Sequence, residues 1–290
     1  MYTTLISAPQ LQALQLSGQP LMVFDCSFEL MDPGAGDRQY QQAHIPGAVR
    51  ADLDRHLSAA KTATDAASGG RHPLPSRDTL AAWLSRIGFT NAMQAVVYDR
   101  QGANYCGRLW WMLKWAGHEA VAVLDGGLQA WLASGGATQS GSPVSQNTSS
   151  FTSNYMLAPV KTRLVATETI AKNLGRPIQT LLDARGAPRF SGEVEPLDPV
   201  AGHIPGALNR PFNLNLDADG KFKPQAQLRA EFEALLAGRD PATVVHHCGS
   251  GVSAVPNLIA MEIAGLGRSA LYAGSWSEWC SDPTRPCAQS

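Results

Sequence analysis

Short apolar runs alternate along this chain with longer stretches of helical periodicity. Runs of strand length lie at residues 22–24, 95–98, 120–124, 180–182, 243–246 and 269–272. Helical spacing of apolar positions runs through residues 78–87, 105–116, 226–237 and 252–264. Gly88, Gly117, Gly238 and Gly265 follow these stretches, where a helix commonly ends on a left-handed glycine. Strands that alternate with helices of this size predict parallel sheets covered on both faces. The expected fold class is therefore α/β.

The pattern occurs twice. His44-Ile45-Pro46-Gly47-Ala48 returns as His203-Ile204-Pro205-Gly206-Ala207. Leu21 to Cys26 parallels Thr180 to Arg185, and the run from Ala95 to Asp99 parallels that from Ala242 to His247. Leu124-Asp125-Gly126-Gly127-Leu128 to Trp131 parallels Tyr272-Ala273-Gly274-Ser275-Trp276 to Trp279. The order is kept at an offset of about 150–160 residues, which is a duplicated domain and not a solenoid, whose periods are about 20–50 residues. The stretch between the copies is rich in Gly, Ser, Thr, Gln and Asn and reads as a linker. The expected organisation is an N-terminal domain at 1–139, a linker at 140–156 and a C-terminal domain at 157–290.

Composition narrows the partners. The chain has 290 residues, with 23 basic and 24 acidic side chains and a net charge of −1. That balance speaks against a surface built for nucleic acid or anionic lipid. No uncharged apolar run reaches the roughly 18–20 residues of a membrane helix. Residues 1–10 lack the basic start and apolar core of a secretion signal, so the expected location is cytoplasmic. The five cysteines, Cys26, Cys106, Cys248, Cys280 and Cys287, are irregularly spaced and form no Cys-x-x-Cys or Cys/His cluster. No disulfide framework, metal site or organic cofactor is implied; a cysteine that matters here acts as a lone thiol.

One of the five stands out. After the apolar run at 243–246 the chain reads His247-Cys248-Gly249-Ser250-Gly251-Val252-Ser253-Ala254 and enters a helix. In α/β folds, ligands sit at the carboxyl ends of strands. Gly249 and Gly251 let the backbone curl, and such a loop can turn successive N–H groups inward as an anion nest. The nest and the helix N-terminus both favour the anionic form of a thiol held between them. Three readings of the loop follow: a simple connecting turn, a phosphate-binding cysteine loop and a thiol nucleophile. The phosphate reading wants an Arg after five intervening residues. That position is Ala254, and no Lys or Arg occurs from Cys248 to Glu262.

The duplicated plan, the paired His-Ile-Pro-Gly-Ala segments, the Cys248 loop and Gly274-Ser275-Trp276-Ser277-Glu278-Trp279 together resemble the two-domain rhodanese-type sulfurtransferases. The resemblance spans about residues 5–285. The loop is similar to the Cys-Gly-Ser-Gly-Val-Thr of 3-mercaptopyruvate sulfurtransferases, with Ser253 in place of Thr. Thiosulfate sulfurtransferases tend instead to carry basic residues directly after the cysteine, which suits a compact dianion.

The resemblance implies tandem rhodanese-like domains, of which only the second carries the nucleophile. It implies that Cys248 takes sulfur from 3-mercaptopyruvate, releases pyruvate and passes the sulfur to a thiol, a thioredoxin-like protein or cyanide. It further implies a proton relay of Ser250, His72 and Asp54, the latter two following the first His-Ile-Pro-Gly-Ala segment. Gly249, Gly251, Val252 and Ser253 would form the substrate loop. Arg189 would bind the substrate carboxylate, and Arg185 would pair near Asp183. Mercaptopyruvate-specific members often add an Arg in a Glu-Pro-Arg; here Glu195-Pro196-Leu197 lacks it. A thiosulfate preference and a non-catalytic sulfur-binding regulatory role therefore stay open. The first-domain counterpart of the loop, Tyr98-Asp99-Arg100 to Tyr105, has no cysteine. His44 and His203 are expected to serve their turns, Trp110 and Trp111 to pack and His246 to point into packing; tuning of the thiol is the lesser of the readings for His247.

Overall fold

In a computed structural model of the chain, residues 1–141 and 153–290 are described. Residues 142–152, the greater part of the expected linker, lie outside the described residues. Two compact units result. One comprises Met1–Ala60, Pro75–Lys161 and Ala218–Lys221; the other comprises Lys61–Leu74, Thr162–Asp217 and Phe222–Ser290.

The first unit holds strands β1 (Leu5–Ile6), β2 (Leu21–Asp25), β3 (Val49–Arg50), β4 (Gln94–Tyr98) and β5 (Val121–Leu124). Its helices are α1 (Ala8–Leu16), α2 (Ala35–Gln42), α3 (Arg77–Arg86), α4 (Cys106–Trp115) and α5 (Gly127–Ala133). The second unit repeats the series with β6 (Arg163–Leu164), β7 (Thr180–Asp183), β8 (Leu208–Asn209), β9 (Val244–His247) and β10 (Ala270–Leu271). Its helices are α6 (Thr167–Lys172), α7 (Ala187–Ser191), α8 (Gln225–Leu236), α9 (Val255–Ile263) and α10 (Ser275–Trp279).

Each sheet has five strands, ordered β1-β5-β4-β2-β3 and β6-β10-β9-β7-β8, and every pairing within them is parallel. The α/β class and the duplication are thus as the sequence led us to expect. The central strands β4 and β9 are buried at every residue, which suits the apolar stretch of β4 and encloses His246 and His247 at the end of β9. Pleating divides their side chains between two helical layers. In the first unit Val96 and Tyr98 face a core with Leu11, Leu14 and Trp131 of α1 and α5. Phe24 meets Trp83 of α3 with ring centroids 6.1 Å apart. In the second, Val245 packs with Ile170 of α6 and Trp276 and Trp279 of α10, while His246 turns to Met261 of α9.

All six expected strands and all four expected helices are present. The α9 helix begins three residues later than its periodicity suggests, at Val255. Gly251, at φ +72°, keeps residues 249–254 out of the helix. At the end of α8 the left-handed position falls on Ala237, at φ +48°, one residue before Gly238. Trp110 and Trp111 are buried in α4, which is buried along its whole length. His44 and His203 are matched structural groups. Each ring donates its Nδ1–H to a carbonyl of the preceding helix, Tyr40 at 2.7 Å and Phe190 at 2.8 Å, and stacks on that residue's ring.

Candidate active site

Strand order places the site. In the second sheet the chain leaves β7 toward β8 on one side and returns through β9 on the other. The carboxyl ends of β7 and β9 therefore flank a topological switch point, where α/β folds bind ligands. Cys248 follows β9 and Asp183 ends β7; Asp183 pairs in register with His247.

The backbone around Cys248 is clamped by the start of α10. Trp276 N–H donates to the Cys248 carbonyl at 3.0 Å and Ser277 N–H to the Gly249 carbonyl at 2.9 Å. Cys248 N–H donates to Ser275 Oγ at 3.1 Å, and that hydroxyl donates to the Tyr272 carbonyl at 3.0 Å. Ser275 holds φ +56°, a left-handed backbone that glycine adopts more readily. In the first repeat the same position is Gly127, at φ +57°. A Cβ on Gly251 would come within 2.2 Å of the Ala273 carbonyl oxygen, so only glycine fits there.

The internal copy shows what this loop is built to hold. Strand register equates Asp25 and Tyr98 with Asp183 and His247, so Asp99 is the counterpart of Cys248. The Asp99 carboxylate accepts four backbone N–H bonds, from Gln101, Ala103, Tyr105 and Cys106, at 2.8–3.1 Å. The first repeat fills its anion nest with its own side chain. The second presents a thiol at that point, on a loop of the same length into the next helix.

Cys248 is buried. Of the remaining thiols, Cys26 and Cys106 are pushed well up by burial, Cys280 is pushed up to about 11, and burial also raises Cys287. These four stay protonated at neutral pH and are poor nucleophiles. All five cysteines are unpaired. Among the described residues no cluster of three His, Cys, Asp or Glu is placed to hold a metal ion.

Ser250 and His72 are brought together. His72 Nδ1 lies 2.8 Å from Ser250 Oγ, and both are buried. Both belong to one unit, because Lys61–Leu74 packs with the second copy although it lies within the first in sequence. That segment is tied down locally: Gly69 N–H donates to Glu278 Oε2 at 3.2 Å and Arg71 N–H to Ser277 Oγ at 2.9 Å. Asp54 belongs to the other unit, where it is exposed and its N–H donates to Asp52 Oδ1 at 3.1 Å. Val252 is buried and Ser253 half-buried on the loop.

Arg185 is a structural cation. Its guanidinium meets Asp183 Oδ2 at 2.7 Å, the Gly202 carbonyl at 2.7 Å and the face of Trp276. Arg189 stands closer to solvent, held by Glu195 at 2.7 and 2.9 Å and by Asp198 at 3.1 Å. Burial pushes the Asp198 carboxyl up, against the pull of Arg71 and Arg189. Both flanking histidines are neutral in the fold. Burial holds His246 down to about 3, and it also lowers His247 although Asp183 opposes it. Reading the chain alone passed over Ser275, Asp198 and Arg71. The only signals were the repeat of the Gly274–Trp279 segment and the position of Arg71 next to His72.

Residues 7–134 and 166–282 match the family described as Rhodanese-like domain. The chain is 47% identical over 287 residues to a probable 3-mercaptopyruvate sulfurtransferase of Pseudomonas aeruginosa, covering 98% of this chain and 97% of that one. It is 42% identical over 286 residues to a putative thiosulfate sulfurtransferase of Mycobacterium tuberculosis, covering 97% and 95%. Among solved structures, the 3-mercaptopyruvate sulfurtransferase from Leishmania major superposes with a TM-score of 0.78 at 30% identity, covering 96% of this chain and 74% of that one.

Proposed function

The chain belongs to the rhodanese-like domain family, and on that premise we propose that it is a sulfurtransferase that draws sulfur from 3-mercaptopyruvate onto Cys248. The observation that carries this reading is the thiol of Cys248 at the site where the sister loop cradles a carboxylate, with the His72–Ser250 pair in the same unit. The likeness to the Pseudomonas relative supports the choice of donor.

The Cys248 thiolate attacks the donor sulfur, and an S–S bond forms as the C–S bond breaks. The electron pair of that bond leaves on carbon as the enolate of pyruvate. The proton of the donor thiol, carried through Ser250 and His72, ends on the methylene carbon. Cys248 is left as a persulfide, oxidised at sulfur, while the carbon is reduced. An acceptor thiol, a thioredoxin-like protein or cyanide then attacks the outer sulfur and restores the thiolate. This is covalent catalysis in two halves. His suits the proton step because it titrates near neutrality. Asp54 completes the relay on the strength of the resemblance. Arg189 binds the carboxylate, and the Gly249–Ser253 loop encloses the sulfur.

The proposed domains are those of the sequence, 1–139 without a nucleophile and 157–290 with it, joined at 140–156. No nucleic acid or membrane partner is part of the reading; no helix among the described residues is long and apolar enough to cross a membrane. Five free thiols suit a reducing compartment, so a cytoplasmic site of action is included.

A second reading keeps the chemistry and changes the donor to thiosulfate. Leu197 in place of an Arg and the Mycobacterium relative favour it; the neutral loop after Cys248 opposes it. The test is kcat/KM for each donor with cyanide as common acceptor. A higher value for 3-mercaptopyruvate is expected. A higher value for thiosulfate reverses the order, and turnover with neither leaves a sulfur-binding module.

A further inference from the structure

One short helix, α10, holds both the nucleophile loop and the segment that carries His72. Its Trp276 and Ser277 N–H groups clamp the carbonyls of Cys248 and Gly249. Two of its side chains reach the segment Lys61–Leu74 instead. Ser277 Oγ accepts the Arg71 N–H at 2.9 Å, and Glu278 Oε2 accepts the Gly69 N–H at 3.2 Å. At its base the segment closes on itself: Ala67 N–H donates to the Leu74 carbonyl at 2.8 Å and Leu74 N–H to Ser68 Oγ at 2.9 Å. The tip is therefore pinned to α10, and His72 follows it directly, with Nδ1 2.8 Å from Ser250 Oγ.

The Glu278 carboxylate lies in a slot between two glycines. A Cβ on Gly69 would come within 2.8 Å of Glu278 Cδ, and one on Gly274 within 2.5 Å of the same atom. In the first copy the aligned helix reads Gly126-Gly127-Leu128-Gln129-Ala130-Trp131, so Ala130 stands where Glu278 stands. The copy with the nucleophile has the carboxylate, and the copy without one lacks it. A carboxylate makes a stronger bond to a backbone N–H than a neutral acceptor does. From this geometry we infer that Glu278 is a positioning residue: with Ser277 it fixes the 61–74 segment so that the His72 imidazole stays within reach of Ser250. The inference rests on the proposed proton relay of Ser250 and His72 and adds what holds that relay in place.

The test is a double-mutant cycle on single-turnover persulfide formation from 3-mercaptopyruvate, with Glu278→Ala, His72→Ala and the two combined. A misplacement of about 1 Å can cost about a hundredfold in rate. Glu278→Ala is expected to lower the limiting rate roughly ten- to thirtyfold, with the half-saturating donor concentration within about threefold. In the His72→Ala background it should cost less than about twofold more, because its path of action is already gone. Glu278→Gln keeps an acceptor oxygen and should come within about threefold of wild type. With thiosulfate, Glu278→Ala should lose little. Hydrogen exchange of the 61–74 peptide, read by mass spectrometry, should quicken in Glu278→Ala and not in Glu278→Gln. Losses that multiply in the double variant, or that are equal with both donors, would overturn the inference and make Glu278 a general support of the fold. Unchanged rate and exchange in Glu278→Ala would overturn it too. If Glu278→Ala fails to fold, Glu278→Asp, which shortens the reach, carries the same comparison. If His72→Ala alone costs nothing, the relay reading falls, while exchange of the 61–74 peptide still decides for or against the hold of Glu278 on the segment.

Discussion

His72 Nδ1 and Ser250 Oγ stand 2.8 Å apart inside one unit, although 178 positions separate them in the chain. The pair connects an imidazole, a side chain that can both take up and give a proton, to the loop of the nucleophile. Its value depends on the leaving group. Pyruvate departs as a basic enolate that needs a proton, whereas sulfite departs from thiosulfate as a stable anion. His72→Ala and Ser250→Ala are therefore expected to slow persulfide formation from 3-mercaptopyruvate by about a hundredfold or more. With thiosulfate the same variants should lose little. Stopped-flow or quenched single-turnover measurement with both donors checks this, and equal losses with the two would contradict a proton-relay role.

Asp99 fills the nest of the first repeat. Asp99→Ala would strip the acceptor from four backbone N–H groups in a buried loop. Unpaired buried donors cost about 1–3 kcal/mol each, so a loss of at least about 3 kcal/mol is expected. Urea unfolding measures it. A loss below about 1 kcal/mol would mean that water replaces the carboxylate at little cost.

Ser275 exchanges backbone comfort for a hydroxyl beside Cys248. Ser275→Gly relieves about 1 kcal/mol of left-handed strain and removes a bond of about the same worth. Stability should hardly change, while kcat/KM should fall as the Cys248 N–H loses its acceptor. Ser275→Ala keeps the strain without the bond and should be the less stable of the two by about 1 kcal/mol. Equal activity in wild type and Ser275→Gly would remove Ser275 from the site.

Stability should depend on pH through His56 and His246, one half-buried and one buried. Burial holds His56 down to about 4 and His246 down to about 3, from an ordinary value of 6.5. Between those values the unfolded chain binds protons that the folded chain does not. Stability therefore rises with pH in this window and is lost as pH falls from 6.5 toward 4. Each histidine contributes a slope of about 1.4 kcal/mol per pH unit. Denaturant midpoints at pH 7 and pH 5 give the sign directly; equal midpoints would contradict it.

Much of this molecule could be read from the chain. β4 and β9 are buried at every residue, and the apolar stretch Ala95–Tyr98 and the pair Val244-Val245 made them easy to see. The paired His-Ile-Pro-Gly-Ala segments showed the duplication, and the glycines around Cys248 marked the loop. The edge strands β1, β3, β6 and β8 have two residues each, too few to carry a period. α7 and α10 have five residues each and show none either. Arg71 adjoins His72 in sequence, but its ion pair is with Asp198, 127 positions away, which no local pattern shows. Asp99 looked like a mere absence of cysteine. Only the strand register shows that it stands at the Cys248 position and why its loop needs an anion.

The central claim is that Cys248 becomes a persulfide at the expense of 3-mercaptopyruvate. Intact-protein and peptide mass spectrometry after one round of donor, without acceptor, tests it most directly. The account predicts a gain of one sulfur atom on the peptide that contains Cys248, release of an equal amount of pyruvate, and neither in Cys248→Ser. Sulfur on Cys26, Cys106, Cys280 or Cys287 instead, or pyruvate released undiminished by Cys248→Ser, would contradict it.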